Sequence, residues 1–147
     1  MENIAKVHGK DLPISKKHAV EICDFIRGKP VQRSKELLQE VVNMERALPF
    51  RRFNKDMGHR KGKIASGRYP KKASEMVIGL LESLEANAQN KGMDTKSLYI
   101  KTIIANKAHT PWHFGRLRRR KMKRAHIEIV AMEKAQKQTE AKDRPKK

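Results

Sequence analysis

The sequence predicts an α+β domain of three helices and three strands, the last two strands joined into a long basic β-hairpin. Three observations carry this. Three stretches place apolar residues at helical spacing. Residues 98–104 are rich in β-branched and aromatic side chains, and residues 126–130 alternate polar and apolar, so both read as strands. Between and around those strands, residues 95–127 carry ten Lys and Arg and no acid.

In chain order, residues 3–8 read as a short strand diluted by Asn3 and Lys6, and residues 9–13 as a turn. Ser15 is placed to cap a helix. Ala19, Ile22, Cys23 and Ile26 then fall at i, i+3, i+4 and i+7, one apolar face. Gly28 suits the left-handed position that ends a helix, and Pro30 the first turn of the next. Leu38, Val41 and Val42 form the buried side of that second helix, with Glu36, Glu40 and Glu45 elsewhere on its surface. Pro70 opens the third helix, with Ala73, Met76, Val77, Leu80 and Leu84 as its core stripe and Glu75, Glu82 and Glu85 on other faces. Residues 90–92 end it.

The hairpin follows. Residues 109–116 have no apolar period and cannot be helical across Pro111. If the arms leave the core near Ile103 and return near Ala125, each holds about eleven residues and reaches about 35 Å at roughly 3.3 Å per residue. So charged a finger cannot enter its own core, and it needs a polyanionic partner. The expected organisation is a single domain over 1–133, with an extended hairpin over 95–133 and its tip at about 108–122. A charged tail follows over 134–147, with no apolar stripe to fold it.

Composition points the same way. The formal net charge is +19 and the sequence pI about 10.4. Nucleic acid is the first partner such a balance suggests, and an anionic membrane the second. No apolar run approaches the length of a membrane span. The polar start of the chain carries no signal peptide pattern, so a cytoplasmic protein is expected. One cysteine excludes an internal disulfide and a thiol-based zinc site; Cys23 falls on an apolar helix face and reads as core packing. His109 and His113 have metal-ligand spacing only in a helix, which Pro111 removes. No carboxylate pair, activated nucleophile or phosphate-loop signature appears, so neither catalysis nor a cofactor has support.

Charge is segregated rather than mixed. Residues 46–72 hold ten Lys and Arg against one acid, Asp56. With residues 95–127 they account for twenty of the thirty-five Lys and Arg. A merely solvated surface mixes the signs. Glycines at 58, 62 and 67 let the backbone of the first segment approach a phosphate chain closely, and Phe50 and Phe53 are expected to pin it to the core. The candidate RNA-binding residues there are Arg51, Arg52, Arg60, Lys61, Lys63, Arg68, Lys71 and Lys72. In the hairpin they are Lys107, Arg116, Arg118, Arg119, Arg120, Lys121, Lys123 and Arg124. Trp112 and His113, with Phe114, either close the hairpin tip as an apolar cluster or stack on unpaired bases.

Three blocks carry a family resemblance: Leu48-Pro49-Phe50-Arg51-Arg52-Phe53-Asn54, Gly58-His59-Arg60-Lys61-Gly62 and Gly67-Arg68-Tyr69-Pro70-Lys71-Lys72-Ala73-Ser74. Near the C-terminus, Gly115-Arg116, nine further residues and His126-Ile127-Glu128-Ile129 add a fourth. Together they resemble the large-subunit ribosomal protein family numbered twenty-two in the universal scheme and seventeen in eukaryotes, in its archaeal and eukaryotic form. The resemblance spans residues 3–133. It implies three helices packed on a small antiparallel three-stranded sheet, with a long hairpin running through rRNA to the wall of the peptide exit tunnel. It adds His59 to the candidate RNA contacts. It implies large-subunit rRNA, neighbouring ribosomal proteins and, near the hairpin tip, the nascent peptide as partners. The expected function is a non-catalytic constituent of the large ribosomal subunit. Two alternatives stand beside it: a helix-turn-helix DNA-binding module built from the first two helices around Gly28, and an RNA-processing enzyme.

Overall fold

In the computed structural model, which describes residues 4–133, the order is β1 (Ile4–Leu12), α1 (Lys16–Ile26), α2 (Val31–Val42), β2 (Leu48–Pro49), β3 (Gly67–Arg68), α3 (Lys71–Asn90), β4 (Leu98–Lys107) and β5 (Ala125–Glu133). The expected tail over 134–147 lies outside the described residues. β5 is the central strand of an antiparallel sheet ordered β1-β5-β4, and β2 and β3 form a separate two-residue ribbon. The expected three helices on a small antiparallel sheet are what the chain forms.

The period-2 pattern of β5 sends Ala125, Ile127, Ile129 and Ala131 into the core, all fully buried. Leu98, Ile100 and Ile103 of β4 join them, across a bulge between Ile100 and Thr102. α1 packs on β4, α3 on β1, and α2 on α3. Gln32 and Lys35 of α2 both reach the Glu85 carboxylate of α3, at 3.0 and 2.7 Å, and clip the two helices together. Ala19, Ile22, Cys23 and Ile26 are buried as their spacing requires. Gly28 has φ +73° and donates its N–H to Ile100 O at 3.0 Å, so the glycine ends α1 and ties it to the sheet.

Several expectations fail. Residues 9–12 are strand, not turn, because β1 follows β5 as far as the Leu12–Ala125 pair. Gly9 permits this: a Cβ there would stand 2.8 Å from Leu80 Cδ1, which lies over the strand. Asp11, at φ +50°, takes up the register shift between Gly9 and Leu12. In α3 the buried residues are Ala73, Ser74, Val77, Leu81, Leu84 and Ala88; Met76 is exposed and Leu80 half-buried. Leu80 and Leu81 both fit between Val77 and Leu84 at helical spacing, so periodicity could not separate them. In α2, Val42 is only half-buried, while Val31 and Leu37 are core. Ser15 and Pro30 occupy the N-cap positions of α1 and α2, but the Ser15 side chain makes no capping bond.

Candidate nucleic-acid interface

The first basic segment is a loop, residues 50–66, closed at its base by the ribbon pairs Leu48–Arg68 and Pro49–Gly67. Phe50 is buried and its N–H donates to Ser66 O at 3.0 Å. Phe53 packs half-buried against the core, with Lys17 Nζ 5.7 Å and the Arg52 guanidinium 5.6 Å from its ring centroid. Both phenylalanines thus pin the loop as their sequence context suggests. The loop also folds back on Glu21, a buried acid of α1. Glu21 accepts hydrogen bonds from the backbone N–H groups of Arg51, Arg52 and Phe53 at 3.0, 2.9 and 2.8 Å.

Farther along, Arg60 is partly consumed by the loop itself. Its Nε donates to Gly67 O at 3.2 Å and its guanidinium lies 5.6 Å from the Tyr69 ring centroid. Gly67 lacks the Cβ that would press on the Arg60 stem and Ile64 at 3.2 and 3.0 Å. His59 pairs with Ser66 and is exposed. Arg51, Arg52, Lys61, Lys63 and Arg68 are exposed, as are Lys71 and Lys72 in the first turn of α3.

The second segment rises from the β4–β5 ladder. Ile103 still pairs with Ile129 inside the sheet, and the ladder ends at Lys107 and Ala125. The arms therefore leave the core later than near Ile103, because β1 lengthens the sheet on the other side of β5. Each arm of about eight residues spans at most about 26 Å at 3.3 Å per residue, shorter than expected. Across the finger, Ala108 N–H donates to Arg124 O at 3.3 Å, Met122 N–H to Pro111 O at 2.8 Å and His113 N–H to Arg120 O at 2.9 Å. A short 3-10 turn, Gly115–Leu117, makes the tip, with Gly115 at φ +62°.

Residues 114–121 are all exposed, so Arg116, Arg118, Arg119, Arg120 and Lys121 present their charge to solvent. Trp112 is 59 % and Phe114 84 % exposed. Trp112 does not close an apolar cluster: the Lys121 ammonium sits 4.5 Å from its ring centroid. His113 is half-buried. Arg124 turns back on the domain and donates to Asp11 O at 3.1 Å.

Charges from both segments act on the first turn of α1. His18 is held below the ordinary imidazole pKa, first by burial and then by the Lys123 and Arg68 charges, which belong to the hairpin and the ribbon. Lys16 and Lys17 stand exposed beside it. Sequence reasoning missed Lys16, Lys17, His18 and Lys29. A signal for the first three was present: a helix start normally favours acids, and this one opens Lys-Lys-His with no acid in its first turn.

The arrangement is a cationic surface built from three separate parts of the chain. Arg offers a planar fork to phosphate and Lys a point charge, while exposed aromatics offer faces to unpaired bases. Among the described residues, no three His, Cys, Asp or Glu side chains gather as a metal site requires, and no helix is long and apolar enough to cross a membrane.

The model of a family described as ribosomal protein L22p/L17e matches residues 7–132. The chain is similar to the "Large ribosomal subunit protein uL22" of Archaeoglobus fulgidus, with 45 % identity over 134 residues covering 86 % of each chain. It is also similar to the proteins of that name from Nanoarchaeum equitans, at 43 % identity over 90 % of this chain and 80 % of the relative, and from Methanopyrus kandleri, at 42 % identity over 90 % and 89 %.

Proposed function

Because the chain belongs to the ribosomal protein L22p/L17e family, we propose that it is a non-catalytic structural constituent of the large ribosomal subunit, in the cytoplasm, where it binds rRNA and supports assembly. The observation that carries the RNA contacts is the run of exposed Lys and Arg on the loop and the hairpin tip, with Lys16 and Lys17 exposed at the start of α1. The His18–Phe50 ring contact joins that helix start to the loop. Contacts run chiefly from Lys and Arg to phosphates and 2′-hydroxyls, and counterion release is a large part of the driving force. The contacting side chains are Arg51, Arg52, His59, Lys61, Lys63, Arg68, Lys71, Lys72, Lys107, Arg116, Arg118, Arg119, Arg120, Lys121 and Lys123. Arg60 and Arg124 contribute with what their internal bonds leave free. Trp112 stacks a base on the face that Lys121 leaves open, and His113 supports it.

At the finger's end, the exposed Phe114, Leu117 and arginines face the nascent peptide on the wall of the exit tunnel. The family resemblance supports that placement, and so does a tip whose apolar groups find no cover in the domain. The remaining surface meets neighbouring ribosomal proteins.

The helix-turn-helix alternative lacks support. α2 would be the reading helix, yet its exposed side presents Glu36 and Glu40, paired with Arg33 and Arg46. Acids there repel duplex phosphates.

Sedimentation of a cell extract tests the proposal. The protein should travel with the large subunit at moderate salt and leave it as salt rises. Protein that stays at the top of the gradient at moderate salt overturns it.

A further inference from the structure

Glu21 is an acid in the middle of a basic interface, and it is 2 % exposed. We infer that Glu21 is a positioning residue for RNA binding: through three backbone N–H groups it holds Arg51 and Arg52 in the arrangement that grips phosphate. The inference rests on the rRNA-binding reading above and gives one buried group a part in it.

A carboxylate stripped of water is costly unless its oxygens are hydrogen-bonded. Here Oε1 accepts from Arg52 and Phe53 and Oε2 from Arg51, so both oxygens are used by three consecutive amides. Bonds to an ionised acceptor are the stronger kind. Fixing three successive N–H groups fixes the backbone from which Arg51 and Arg52 project. The Arg52 guanidinium then lies against the Phe53 ring. Arg51 lines a cleft of about 240 Å³ with Glu21, Asp24, Phe25, Lys29 and Pro49.

That cleft explains why the position matters. The Lys29 ammonium lies over the Phe25 ring, 4.9 Å from its centroid, and donates to the Phe25 carbonyl oxygen. Burial and the Arg51 charge hold Lys29 below its ordinary pKa. The nearby acids do not relieve this: Glu21 is engaged by the three amides, and Asp24 is paired with Arg27 at 3.1 Å. Two cations in one cleft, without a carboxylate partner among the described residues, suit an RNA phosphate. Arg51 stands beside Lys29 only while Glu21 holds its backbone. A loop ordered in advance also spares the complex the entropy of ordering it on binding.

The test uses the full chain and in vitro transcribed large-subunit rRNA, with affinity measured across a salt series. Glu21→Gln keeps the shape but replaces one oxygen by an N–H₂ that faces N–H groups. Affinity should fall roughly tenfold or more, the equivalent of ordering about one backbone residue on binding. The log–log salt slope should flatten by up to about two units for the two arginines. In an Arg51→Ala, Arg52→Ala background, Glu21→Gln should cause no further loss, since it acts through those side chains. Equal losses in both backgrounds would mean a merely structural clamp and overturn the inference. So would wild-type affinity in Glu21→Gln. If that variant does not fold, Glu21→Asp, which keeps the charge but draws the oxygens back by one methylene, is judged by the same two criteria. If neither variant folds, Glu21 is a structural clamp of the domain and the inference is overturned. Wild-type protein that fails to bind rRNA overturns the rRNA reading itself, whereas wild-type binding with an indifferent Glu21→Gln overturns this inference alone.

Discussion

The imidazole of His18 meets the ring of Phe50 edge-on, with centroids 5.6 Å apart and planes at 88°. The contact joins the first turn of α1 to the anchor of the basic loop, and it fixes the environment in which His18 titrates.

From that environment follows a pH dependence. His18 is held below its reference pKa of 6.5, so near and below that pH the unfolded chain binds a proton that the native state refuses. Stability then falls as pH falls, with the loss beginning near the unfolded value and growing toward the lowered native one. Thermal unfolding between about pH 7 and pH 5 should show a falling midpoint, and His18→Phe should flatten that slope. An identical slope in the variant would show that His18 is not the group responsible. Bound phosphate should raise the His18 pKa, which NMR titration of the rRNA-bound protein would detect.

Leu81, fully buried in the α3 stripe, and Leu80, half-buried over Gly9, make a matched pair. Leu81→Asp puts an unpaired carboxylate in the core and should cost roughly 3 kcal/mol or more, a large share of the stability of a small domain. Leu80→Asp should cost clearly less. Denaturant melts of the two variants decide it, and the reverse order would place the wrong leucine in the core.

Cys23 is buried against the core, and burial pushes its thiol up to about 12. Only the thiolate reacts, so a thiol reagent should modify the native protein far more slowly than the denatured one. Fast labelling under native conditions would contradict the packing of α1.

Removing the finger tests its independence from the core. Replacing residues 109–123 with Asn-Gly keeps the Ala108–Arg124 bond and supplies residues suited to a two-residue hairpin turn. The product should fold, because the β4–β5 ladder remains complete to Lys107 and Ala125. The removed segment contains Arg116, Arg118, Arg119, Arg120, Lys121 and Lys123. If half of these touch phosphate, the log–log salt slope of rRNA binding should fall by about two to three units. A folded product with an unchanged slope would make the finger a solvated surface. An unfolded product would make it part of the core.

Much of the protein is decided by neighbours along the chain. Helical spacing at Ala19, Ile22, Cys23 and Ile26, the left-handed stop at Gly28 and the alternation through β5 are local patterns, and each forms as written because local sterics and one buried face suffice. The separation of charge is likewise a property of the sequence. Other choices waited for the fold. Leu80 and Leu81 are equivalent in periodicity, and only the approach of α3 to Gly9 on β1 tells them apart. Residues 9–12 resemble a turn until β5 supplies a partner. Nothing local to Glu21 announces that Arg51, Arg52 and Phe53 will return thirty residues later with three N–H groups to occupy it. The charges of Arg68 and Lys123, from distant parts of the chain, both act on His18. These outcomes depend on contacts between residues distant in sequence, where loop closure and core packing, not local preference, determine which groups meet.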